Sequence, residues 1–135
     1  MPIRPFPCGI SLRYIRQWRT ITYAYLLIIE TAIFTKGVNE LLDDEQYRLL
    51  QWVLVKAPDL GKIIPGSGGL RKLRWAGSGR GKRGGIRLIY YWLPKQDRLL
   101  MLFLFAKNEQ ADLTAQQLKT LRLVVQRELG EKGTV

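Results

Sequence analysis

The sequence predicts an α+β domain: a small, mainly antiparallel sheet with an N-terminal helical hairpin and a C-terminal helix. Three observations carry this expectation. A β-branched apolar run is followed by apolar residues at helical spacing, three strand-like segments then succeed one another, and a capped amphipathic segment closes the chain. Tyr25 to Phe34 reads as the first strand. From Val38 the period changes, with Val38, Leu41 and Leu42, then Leu49, Leu50, Trp52, Val53 and Leu54 recurring at helical spacing up to Ala57 and Pro58. Asp43 followed by Gln46 has the form of a capping box, dividing the segment into a short helix and a longer one that make the expected hairpin. Pro58, Gly61, Pro65, Gly66, Gly68 and Gly69 mark a loop. Leu70 to Trp75, Ile86 to Leu93 and Arg98 to Ala106 read as an antiparallel meander. The last of these is apolar at odd and even positions alike, which places it at the centre of the sheet, covered on both faces. Thr114 and Gln117 form a second capping pair ahead of Leu118, Leu121, Val125 and Leu129, and Gly130 is expected to end that helix.

A chain of 135 residues has the size of one domain, and 47% hydrophobic residues suffice for a packed core. Residues 1–24 stand apart: Arg4, Arg13, Arg16 and Arg19 occur without an acid, alongside three prolines, so this basic extension is expected outside the fold, with the domain at 25–135. The apolar stretch Ile21 to Ile29 is far below the roughly 20 residues of a membrane span and Glu30 interrupts it, so no membrane partner is expected. Cys8 is the single cysteine and forms no internal disulfide, which fits a reducing, cytoplasmic setting. There is no histidine, so Ser-His-Asp triads, imidazole relays and His-ligated metals are ruled out, and neither a metal site nor a cofactor is expected.

The formal net charge is +11, which points to a polyanionic partner. Its focus is residues 71–87, where Arg71, Lys72, Arg74, Arg80, Lys82, Arg83 and Arg87 occur without an acid. Alternation along a strand sends Lys72 and Arg74 to one face and Leu73 and Trp75 to the core, and a hairpin connection brings Arg87 beside the cationic pair. Five glycines between Gly77 and Gly85 let the backbone approach a phosphate closely. The segment is not a P-loop, because Ala76 and Arg83 stand where that motif needs Gly and Ser or Thr. On charge alone, the hairpin is equally a noncatalytic binder of RNA or DNA.

The segments PGSGGLRKLRW, GRGKRGGIRLIYYW and FLFAKNEQADLT together resemble the RelE/HigB-type toxins of bacterial toxin–antitoxin pairs, most closely the HigB-like branch, over about residues 26–129. The resemblance implies a RelE-like fold, a metal-independent endoribonuclease that cleaves mRNA, usually on the ribosome, and so inhibits translation, and a cognate antitoxin, expected to be a helix-turn-helix protein. It also implies that Lys72, Arg74 and Arg87 match the family's cationic catalytic positions. Since RNA brings its own 2′-hydroxyl nucleophile, such a site has to remove that proton, stabilise the phosphorane and protonate the departing 5′-oxygen. Lys72 is the expected base, and Arg74 and Arg87 the phosphate donors, because a guanidinium fork makes two hydrogen bonds to one phosphate. Relatives place a tyrosine or another donor near the last helix where this chain has Thr114, so Lys107 is the expected acid, with Asn108 and Glu109 beside it. Arg71, Arg80, Lys82 and Arg83 complete the expected RNA-binding surface, with Tyr91 as the stacking residue on the Arg87 face.

Overall fold

The structure, a computed structural model, describes residues 18–23, 26–76 and 85–131. Six strands run β1 (Trp18–Tyr23), β2 (Leu26–Thr31), β3 (Lys62–Ile63), β4 (Arg71–Trp75), β5 (Ile86–Leu93) and β6 (Arg98–Ala106); the helices are α1 (Ala32–Leu41), α2 (Asp44–Lys56) and α3 (Ala115–Glu131). The sheet order is β1-β2-β6-β5-β4-β3. Its pairings are antiparallel except between β2 and β6, where Leu27 lies beside Arg98 in a parallel ladder. The sheet is therefore mixed, its one parallel pairing among the described strands joining β2 to β6. A strand leading through two helices to a distant strand satisfies the long crossover that parallel pairing demands.

Two apolar layers flank the sheet. On one side Phe34 and Val38 of α1 and Tyr47, Leu50 and Leu54 of α2 meet Ile28, Leu73, Leu88, Tyr90 and Met101. On the other, Leu121, Val124 and Val125 of α3 meet Ile29, Ile89, Leu100, Leu102, Phe103 and Phe105. β6 is central and buried from Leu99 to Phe105, as its unbroken apolar run requires. Opposite Ile89 and Tyr90 its register slips: Phe103 pairs with Ile89 and Met101 with Tyr90, leaving Leu102 as the extra residue of a bulge. The Leu102 carbonyl accepts the Thr31 hydroxyl at 2.9 Å, and the same hydroxyl oxygen caps α1 by accepting the Phe34 N–H at 3.0 Å.

That cap overturns one expectation. Ala32 to Phe34 belongs to a helix, not to the first strand, because Thr31 starts α1 immediately after β2. The two helices follow one another with the Asp43–Gln46 capping box between them, both of its hydrogen bonds formed, but the expected hairpin is replaced by helices that each pack their apolar side on the sheet. α3 continues through Gly130 to Glu131.

Residues 18–23 correct the reading of 1–24 as lying outside the fold, since they pair along their whole length with β2, Trp18 opposite Thr31 and Tyr23 opposite Leu26. The reason is a carboxylate. Glu30 is fully buried, and Arg19 reaches it from β1 at 2.7 Å while Thr35 of α1 donates to it at 2.7 Å and the Tyr47 hydroxyl of α2 donates to its other oxygen. Burial, and then the Glu30 charge, push the Tyr47 phenol far above its ordinary pKa, so it stays protonated and donates to Glu30. Residues 1–17 of the extension lie outside the described residues. No helix among the described residues is long and apolar enough to cross a membrane.

Candidate functional site

β4 sends Leu73 and Trp75 toward the α1/α2 layer and Lys72 and Arg74 to the opposite face. The β4–β5 register sets Arg74 directly opposite Arg87. Two guanidiniums opposite each other in a ladder concentrate positive charge on this face. Arg87 is nearly buried, at 7% exposure, and its guanidinium donates to the Ile86 carbonyl at 3.4 Å, whereas Arg74 is exposed and Lys72 half-buried. One face therefore graded from a fixed guanidinium to a free-reaching one is presented to solvent.

Lys72 has a partner that sequence reasoning did not assign to the site. Its ammonium donates to Asp112 Oδ1 at 2.9 Å. That same oxygen accepts the Leu113 N–H at 2.7 Å, and the Asp112 carbonyl accepts Gln110 Nε2 at 2.9 Å. Gln110 in turn pairs with Gln117, which is buried and closes the capping box with Thr114. The loop bearing Asp112 is thus built on the start of α3. Burial opposes the Asp112 charge, but the hydrogen bonds from Lys72 and Leu113 and the charges of Lys72 and Arg87 outweigh it and hold the carboxyl below its ordinary pKa. Thr114 is committed to capping.

The remaining expected residues divide. Lys107, Asn108 and Glu109 are exposed on the turn after β6, and the Lys107 N–H donates to the Gly85 carbonyl at 3.1 Å, so this turn stands at the root of the basic loop. Arg71 is placed elsewhere: it alternates with Lys72, lies opposite Tyr90, and donates to the carbonyls of Asp59 at 3.1 Å and Gly61 at 2.7 Å. Tyr90 ties down the same loop, accepting from Gly61 N–H and donating to the Pro58 carbonyl. Tyr91 lies on the Arg87 face, yet a Cβ on Gly69 would sit 3.0 Å from its ring, so one side of the ring is packed against backbone rather than open to a base. Arg80, Lys82 and Arg83 lie outside the described residues.

Gly85 opens β5 with φ +62°, where a Cβ would meet the Trp75 carbonyl at 2.5 Å. Gly85→Ala is expected to lower stability by about 1–3 kcal/mol, through left-handed strain together with the clash. Thermal unfolding measures this, and a variant as stable as the wild type would show that the start of β5 relaxes freely.

A family model described as "RelE toxin of RelE / RelB toxin-antitoxin system" matches residues 56–132, more than half of the chain. The chain belongs to the RelE toxin family. The match contains β3 to β6, α3, the Arg74–Arg87 pair and the Lys72–Asp112 contact. As a RelE-family protein it is the toxin of a toxin–antitoxin system, with a cognate antitoxin as partner. β1, β2, α1 and all but the last residue of α2 lie before the matched segment.

Proposed function

We propose that this RelE-family toxin is an endoribonuclease that cleaves mRNA, on the ribosome, without a metal ion, and so inhibits translation. The observation that carries the reading is the cationic face on which Arg74 stands opposite Arg87 with Lys72 two residues along β4. A scissile phosphate placed there receives hydrogen bonds from both guanidiniums. Buried Arg87 is the preorganised donor, and exposed Arg74 closes from solvent. Lys72 contributes charge as an ammonium rather than serving as the base, because a nitrogen engaged in an ion pair has no lone pair with which to take a proton. Lys107 protonates the departing 5′-oxygen, and Asn108, Glu109, Arg80, Lys82 and Arg83 hold flanking RNA.

Two results are expected. Inducible expression without antitoxin arrests bacterial growth, with translation failing before transcription. In vitro, cleavage of mRNA on a preassembled ribosome complex persists when exchange-inert cobalt hexammine replaces magnesium, and leaves 2′,3′-cyclic or 3′-phosphate ends with 5′-hydroxyls, the products of 2′-hydroxyl attack. Harmless expression of soluble protein, or a strict magnesium requirement for the chemical step, would sink the reading.

A further inference from the structure

Once Lys72 is an ammonium, the site needs another group to take the 2′-hydroxyl proton. We propose that Asp112 is this catalytic base, an assignment that rests on the endoribonuclease reading above. Three features of its setting support it. Its carboxylate lies against Lys72 at 2.9 Å and within the field of Arg87, so a phosphate held by these cations brings the adjoining ribose to it. It is fixed rather than free to swing, since Oδ1 accepts the Leu113 N–H and the Asp112 carbonyl is anchored through Gln110 to buried Gln117. Its side chain is nonetheless 61% exposed and accessible to substrate.

The proton balance closes without histidine. The 2′-oxygen loses its proton to the Asp112 carboxylate and forms a bond to phosphorus. The bond from phosphorus to the 5′-oxygen breaks, and that oxygen takes a proton from the Lys107 ammonium. Asp112 then releases its proton to water and Lys107 regains one from water. Lys72 stays charged throughout, stabilising the carboxylate before the transfer and the phosphorane during it.

Asparagine at position 112 separates basicity from placement, because its amide oxygen can still accept from Leu113 and Lys72 but cannot take a proton. Asp112→Asn is expected to lower the single-turnover rate on the preassembled ribosome complex by about 100- to 10,000-fold, the usual contribution of a general base. RNA affinity should change by less than threefold, and thermal unfolding should confirm the fold. The wild-type rate should be flat between about pH 5 and pH 8, because a carboxylate flanked by Lys72 from β4 and Arg87 from β5 is already ionised there, with loss of rate only at lower pH. A rate climbing tenfold per pH unit across that range, or a folded Asp112→Asn variant within tenfold of wild type, would overturn the assignment while leaving the ribonuclease reading intact. No cleavage by the wild-type protein would instead overturn the ribonuclease reading.

Discussion

Replacing Arg87 by alanine is expected to lower the single-turnover cleavage rate by about 1,000-fold while weakening RNA binding by less than about tenfold. The asymmetry follows from where the side chain sits. Arg87 is nearly buried, opposite Arg74, so its guanidinium is held in place before substrate arrives and meets the charge that develops on phosphorus. Overall affinity is spread over many cations of a chain with 22 Lys and Arg, and removing one phosphate contact takes away only its share. Arg87→Lys keeps the charge but not the fork, and is expected to fall between alanine and wild type. Filter binding and quenched-flow cleavage on the same preparations measure both quantities, with thermal unfolding as the check on folding. Equal loss of binding and of growth inhibition would identify the hairpin as a noncatalytic binder.

The second large effect lies far from the site. Arg19→Ala leaves the Glu30 carboxylate with the Thr35 and Tyr47 hydroxyls as its side-chain donors among the described residues, and is expected to destabilise the protein by about 1–3 kcal/mol. The lower part of that range reflects Arg19 itself, half of whose side chain is exposed. Adding Glu30→Gln to Arg19→Ala should recover much of the loss, since the amide keeps an acceptor for the hydroxyls and removes the uncompensated charge. Urea unfolding of the two single variants and the double variant gives the coupling directly. An Arg19→Ala protein as stable as the wild type would show that the Arg19–Glu30 ion pair adds nothing to stability.

The strands nearest the site were legible because strong alternation and unambiguous breakers coincide there. β5 and β6 run over the residues expected, and β4 begins one residue later, at Arg71. The facing of Lys72 and Arg74 away from Leu73 and Trp75 follows from the two-residue period alone. The start of α1 was hidden because Ile33 and Phe34 have strand propensity, and what decides their conformation is the Thr31 hydroxyl, whose second partner is a bulge carbonyl 71 residues away. β1 was hidden by its basic, proline-bearing neighbourhood, since the argument for its pairing is a buried acid on the next strand. β3 has only two residues, too few to show any period. Asp112 was passed over for a similar reason: an acid near a helix start reads as favourable to the helix end alone, and its partner Lys72 lies 40 residues earlier. Arg71 is the opposite case, a cation grouped with its neighbours by proximity in the sequence while alternation sends it to the other face.

The parallel ladder of β2 with β6 sets an order of events during synthesis. Leu27 and its neighbour Arg98 are 71 positions apart, which at bacterial and eukaryotic rates of about 5–20 residues per second separates their emergence by roughly 4 to 14 seconds. Throughout that interval the nascent chain carries β2, with Ile28 and Ile29, without β6, its neighbour on the side away from β1. Asp112 and α3 emerge later still. The newborn protein therefore exposes part of its apolar sheet before the Lys72–Asp112 contact can form, and the candidate site is among the last features the chain completes.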